Sequence, residues 1–118
     1  MKEAPRPSKA HRFAEQLTSQ QRAALKAKAH HLKPVIQVGG QGLSATVLAE
    51  MVRALNTHEL IKLQLPGQTE ASEKKESLEE LEEALPEHSF VVSRIGRTVI
   101  LYLEKSPDEA QIPLKGLR

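Results

Sequence analysis

The 118-residue chain has no cysteine and no tryptophan, and its only aromatic residues are Phe13, Phe90 and Tyr102. Without cysteine there is no disulfide framework and no thiolate chemistry, a usage that fits a cytosolic protein. With three aromatics, the chain is poorly equipped to splay single-stranded bases over a sheet of stacking rings. No apolar run approaches the ~18 residues that a membrane span needs. Met1–Pro7 lacks the apolar core of a secretory signal. A cytoplasmic location and no membrane partner are therefore expected.

Catalytic and metal-binding patterns are equally scarce. His11, His30, His31, His58 and His88 include no pair at i, i+4, and the adjacent His30 and His31 diverge by about 100° on a helix, so no metal site is expected. Ser19, Ser44 and Ser93 have no convincing His/Asp partner by spacing. The expectation is a non-enzyme with no cofactor.

What the chain does have is separated charge. Net charge is only +2, yet the segment 70–87 holds eight of the fifteen acids against Lys74 and Lys75. The remainder carries fifteen Lys and Arg against seven acids, and residues 1–37 alone hold eight against two. A basic body with one acidic helix implies a polyanion on one face.

Local signals predict the order α-β-α-β-α-β-β: a compact single α/β domain with a four-stranded mixed sheet and packed helices. Residues 1–16, with two prolines and several cations, read as a mobile basic arm. Thr18 and Gln21 form a capping-box pattern, and the helix they open places Leu25, Ala29 and Leu32 on one face, with Pro34 as its stop. A strand at about 34–38 is followed by Gly39-Gly40-Gln41-Gly42 and by a helix over Ser44–Thr57 carrying Leu48, Met51, Val52 and Leu55. His58-Glu59 reads as the start of the next strand, in which Ile61, Leu63 and Leu65 alternate with polar residues. Pro66-Gly67 closes it. A third helix over about 70–85 buries Leu78, Leu81 and Leu85 and ends at Pro86. Strands at about 89–95 and 98–104 flank a type II′ turn with Gly96 first. Val99–Leu103 is apolar on both faces and should be central. Residues 105–118 read as a loose tail.

The glycine turn carries the chemistry. Three glycines in four positions let backbone approach a ligand without Cβ atoms between them. The first-turn amides of the next helix then point outward, at an end that behaves as about half a positive charge, which suits a phosphate. The Lys-Ser/Thr of a Walker loop is missing, and the spacing is not that of a dinucleotide fingerprint, so a nucleotide-using enzyme is disfavoured. A tight strand-to-helix turn would explain the same glycines without any ligand. Arg22, Lys26, Lys28, His30, His31 and Lys33 could supply phosphate contacts from the first helix, and Arg94 and Arg97 from the hairpin.

Taken in order, His31-Leu32-Lys33-Pro34-Val35, the glycine turn, Val47-Leu48-Ala49-Glu50, His58-Glu59-Leu60-Ile61-Lys62 and Ile95-Gly96-Arg97-Thr98 with Leu101-Tyr102 resemble the CRM domain family, named for chloroplast RNA splicing and ribosome maturation. The resemblance covers about residues 17–104 and is nearest to the single-domain bacterial YhbY-type RNA-binding proteins. It implies a fold similar to the C-terminal domain of translation initiation factor three. It also implies RNA binding through a GxxG loop, here Gly39, Gly40, Gln41 and Gly42, and association with large ribosomal subunit precursors. The expected partner is therefore RNA, with large-subunit ribosomal RNA favoured and a monomeric protein. The alternative is an interaction module that docks on ribosomal proteins through its acidic third helix.

Overall fold

The computed structural model describes residues 12–39, 42–65 and 71–114. Expectations that fall on residues 1–11, 40–41, 66–70 and 115–118 lie outside the described residues. The elements follow the predicted order: α1 (Ser19–Ala29), β1 (Ile36–Gln37), α2 (Ala45–His58), β2 (Leu60–Gln64), α3 (Ala71–Ala84), β3 (Ser89–Ile95) and β4 (Thr98–Leu103).

Capping residues set the helix starts. The Thr18 hydroxyl accepts the Gln21 N–H and the Gln21 side chain accepts the Thr18 N–H, satisfying two orphan donors reciprocally. Ser44 caps α2 by accepting the Val47 N–H at 3.2 Å. The far end of α1 departs from expectation. It stops at Ala29, with His30 as C-cap, well before Pro34, so Leu32 leaves the buried stripe and is exposed.

The sheet order is β1-β2-β4-β3. β1 runs parallel to β2, and the other pairings are antiparallel, which makes the sheet mixed. The doubly apolar β4 is central. Val99, Leu101 and Leu103 enter the core shared with Met51, Leu55 and Leu81, beneath α2 and α3. Ile100 and Tyr102 enter the other core with Leu25, Ala29 and Leu60, beneath α1. The result is three layers, with α1 on one face of the sheet and α2 and α3 on the other. β3 carries a bulge at Val92, where its register against β4 shifts.

His58 and Glu59 correct the sequence reading. His58 is the last residue of α2, and Glu59 is its C-cap at φ 67°, so the helix turns into β2 through one left-handed residue. Leu103 donates its N–H to the Glu59 carbonyl, and Glu104 donates to the carbonyl of His88, the other non-glycine residue with positive φ among those described. Two left-handed residues thus close the same end of β4.

That end also holds the described parts of both flanking segments, residues 12–16 and 105–114, where loose tails were expected. Phe13 stacks on His88 with ring centroids 3.8 Å apart, and Ala14 donates its N–H to the Glu104 carboxylate. Leu17 is buried. On the C-terminal side, Ile112 and Leu114 pack into the α1-side core, and Tyr102 donates its hydroxyl to the Ile112 carbonyl. Proline-rich composition hid these anchors, because a few apolar side chains suffice to dock a segment that has no regular structure of its own.

Candidate nucleic-acid interface

Register defines the site's position. Gln37 pairs with Gln64, Gln64 with Thr98, and Thr98 with Ile95, so these four residues form one row across the sheet. The glycine turn leaves β1 just beyond this row, and the Gly96-Arg97 hairpin turn closes it at β3 and β4. Val38 donates its N–H to the Gln64 carbonyl at 2.7 Å, and Leu65 donates to the Arg97 carbonyl at 2.7 Å, which ties the two turns to the end of β2. They therefore share one end of the sheet, opposite the end closed by Glu59 and His88.

Within the turn, Gly42 donates its N–H to the Gly39 carbonyl at 2.9 Å. The two glycines differ in why they are glycine. Gly42 sits at φ 81°, a conformation that L side chains rarely adopt. Gly39 has no such constraint, and a Cβ built there meets nothing within 4 Å. The fold therefore requires glycine at the turn's end but not at its beginning. Gly40 and Gln41 lie outside the described residues. Past the turn, the Ser44 hydroxyl takes the Val47 amide, while the Ala45 and Thr46 amides precede any helical carbonyl they could reach.

The basic residues do not share one environment. Lys26 and His30 line a groove of about 220 Å³ with Lys62, Ile95, Thr98 and Ile100, on the α1 face beside the hairpin. Lys28 and Lys33 line a second cavity with His58, toward the Leu60 end of β2. Arg22 is turned to the fold itself: its Nη1 donates to the carbonyls of Val91 at 2.9 Å and Val92 at 2.6 Å, at the bulge. His31 is exposed, and its ring meets His30 edge-on at 5.4 Å. Arg94 and Arg97 are exposed at the hairpin end.

Lys62 is the residue that sequence reasoning left out of the site. Its ammonium donates to the Leu32 carbonyl at 3.0 Å and approaches the His30 carbonyl at 3.5 Å, so it caps the C-terminal end of α1 from the sheet below. The signal was present: Lys62 is a polar position in an alternating strand, and such positions face whatever covers the sheet. On the opposite face, Glu79, Glu80, Glu82 and Glu83 are exposed on α3. The sheet separates these acids from Lys26, His30 and Lys62. Among the described residues, no group of three or more His, Cys, Asp and Glu could hold a metal ion. No described helix is long and apolar enough to cross a membrane.

Comparison with known proteins places this geometry in context. Residues 17–102 match the model of the CRS1 / YhbY (CRM) domain. An RNA-binding protein of Haemophilus influenzae is 37% identical over 101 residues, spanning 84% of this chain and 97% of that one. A "Probable RNA-binding protein" of Pseudomonas aeruginosa is 42% identical over 91 residues, spanning 77% and 84%. Among solved structures, a Staphylococcus aureus protein described as an RNA-binding candidate superposes with a TM-score of 0.64 at 32% identity, over 83% of this chain and 100% of that one.

Proposed function

The chain belongs to the CRS1/YhbY (CRM) domain family, and from that premise we propose that it is a non-enzymatic RNA-binding protein. We infer that it acts as a monomer in the cytoplasm, on ribosomal RNA within large-subunit precursors. The observation that carries the RNA-binding reading is Gly39, a glycine that neither its own φ nor its neighbours demand. Close approach of a ligand to the backbone is a reason for glycine where the fold supplies none. A phosphate fits the position, because the first amides of α2 follow directly and Lys26, His30 and Lys62 lie on the adjoining α1 face.

Phosphate contacts of this kind hold RNA by its backbone and shape and release counterions. The acidic α3, on the far face, keeps that side off the RNA by like-charge repulsion. Family kinship supports the ribosomal assignment, and the test is direct. The tagged protein is sedimented from lysate through a sucrose gradient at controlled salt, and its crosslinked RNA is sequenced. Co-migration with large-subunit precursors, with crosslinks at the glycine turn or α1, is the expected result. Migration with free protein only, without RNA crosslinks, removes the proposed function and leaves the fold untouched.

A further inference from the structure

The cavity lined by Lys28, Leu32, Lys33, Val35, His58 and Ile112 lies beside the basic groove of Lys26, His30 and Lys62 and has no role in the phosphate contacts proposed above. Its volume of about 510 Å³ falls within the roughly 300–1,000 Å³ of small-molecule sites. Leu32 and Val35 are 39% and 49% exposed, and with Ile95 they are the large apolar side chains left exposed among the described residues. Both open onto this cavity, on either side of Lys33. Leu60 and Ile61 lie at its base. An apolar hollow rimmed by charge marks a binding site better than scattered surface leucines would.

The lining chemistry selects an occupant. Aliphatic walls and an exposed imidazole accept a flat, weakly polar ring, and histidine is one of the side chains on which unstacked RNA bases rest. Two ammonium groups at the rim accept a phosphate. Ring and phosphate together make a nucleotide. Position agrees with this. His30 lines the basic groove and Leu32 lines the cavity, while Lys62 bonds toward the carbonyls of both, so the two hollows meet at the end of α1.

We propose that this cavity receives one unpaired nucleotide, its base against His58 and the Leu32–Val35 wall and its phosphate on Lys28 and Lys33. The proposal rests on the RNA-binding reading above and adds what that reading lacks, a place where a base is held. It also offsets the shortage of stacking aromatics, since one pocket does for one base what a flat sheet here cannot.

The experiment uses the full chain and two RNA hairpins that differ by a single bulged adenosine. The wild type is expected to bind the bulged hairpin about tenfold more tightly, the scale of one stacked base. Val35→Asp, at an exposed position, should erase that preference while still binding the paired hairpin. Adenosine monophosphate alone, followed by the methyl NMR signals of Leu32 and Val35, separates a free nucleotide from one presented by RNA. Shifts with the free compound assign the former; a preference for bulged RNA without such shifts assigns the latter. Equal affinity for both hairpins, with no shift from the free nucleotide, overturns the pocket and leaves RNA binding standing. Binding of neither hairpin overturns both. Methyl shifts that follow protein concentration alone assign the cavity to a second copy of the chain, which also overturns the proposal.

Discussion

Ile112 donates its backbone N–H to the buried carboxylate of Glu59 at 2.9 Å, across 53 residues of sequence. The neighbouring Gln111 N–H reaches both oxygens of the same carboxylate, and Lys105 approaches it at 3.9 Å. Glu59 thereby serves two purposes: its backbone turns α2 into β2, and its side chain holds the C-terminal segment over the α1-side core.

Glu59→Gln should release that segment. The amide keeps one acceptor oxygen and turns two donors toward backbone N–H groups that are themselves donors. Hydrogen bonds to a charged group contribute roughly 1.5–3 kcal/mol each, so a loss of about 2–4 kcal/mol is expected, read as a lower denaturant midpoint. The amides of Gln111 and Ile112 should lose protection from hydrogen exchange ahead of the sheet. Uniform loss of protection would show that the segment is not a separate latch.

Tyr102 should give the fold an alkaline limit. Burial, and then the carboxylates of Glu104 and Glu59, raise its phenol above the ordinary value of 10.0. The folded state therefore prefers the neutral phenol. Its contribution is complete below the unfolded value of about 10 and declines as pH rises above it, by up to about 1.4 kcal/mol per unit. Tyr102→Phe removes this proton and also the hydrogen bond to Ile112, at roughly 1 kcal/mol. Stability should then fall less steeply between pH 10 and 11 in the variant than in the wild type. Parallel curves would mean that the phenol does not drive the alkaline loss.

Arg22 reads in the sequence as a cation on a helix face and so as one of the candidate RNA contacts, and nothing in its neighbourhood suggests a role in the fold. Its partners lie about seventy residues away, at carbonyls beside a β-bulge, and the sequence Ser89–Ile95 does not say which of them Arg22 would reach. Arg22→Ala should lower stability by about 1 kcal/mol, a modest figure because the side chain is exposed. RNA affinity of the folded variant should hold within twofold. A tenfold loss of affinity at unchanged stability would return Arg22 to the interface.

The same contrast runs through the whole chain. The cap at Thr18, the Gly96 turn and the central Val99–Leu103 strand were readable because each is decided within a few residues. Leu32 was misread as core because helical periodicity continued past the point where His30 capped α1. Glu59 and Ile112 were misread because a buried carboxylate takes its meaning from donors that only the folded chain brings near. Within the candidate site, the glycine turn could be found from sequence. Helical spacing puts Lys26 and His30 on one side and Lys28 on another, but which part of the sheet each side meets, and where Lys33 falls beyond the helix end, come only from the fold.

Lys26→Gln should weaken RNA binding and its salt dependence together. If four phosphates are contacted, log affinity falls with log salt at a slope of roughly −3 to −4, and losing one contact lowers that magnitude by about one. Lys26 is exposed and lines the basic groove, so stability should not move. Glu80→Lys on the far face serves as the control, with slope and affinity near wild type. If Glu80→Lys instead strengthened binding by more than Lys26→Gln weakened it, net charge alone would govern binding and RNA would have no preferred face.

Gly39→Ala and Gly42→Ala separate the two reasons for glycine in one turn. At Gly42, φ 81° makes any side chain strained, and alanine should cost about 1–2 kcal/mol although its Cβ would meet nothing within 4 Å. At Gly39 neither strain nor crowding applies, and alanine restricts the unfolded chain, so the variant should gain about 0.4–1 kcal/mol. Gly39→Ala should nevertheless bind RNA several-fold more weakly, because its methyl group occupies the space where a phosphate approaches the backbone. A variant that is more stable and less active cannot be explained by damage to the fold, so the loss would belong to the contact itself. Gly39→Ala with undiminished affinity would assign the glycines to turn geometry alone and shift the interface to Lys26, His30 and Lys62.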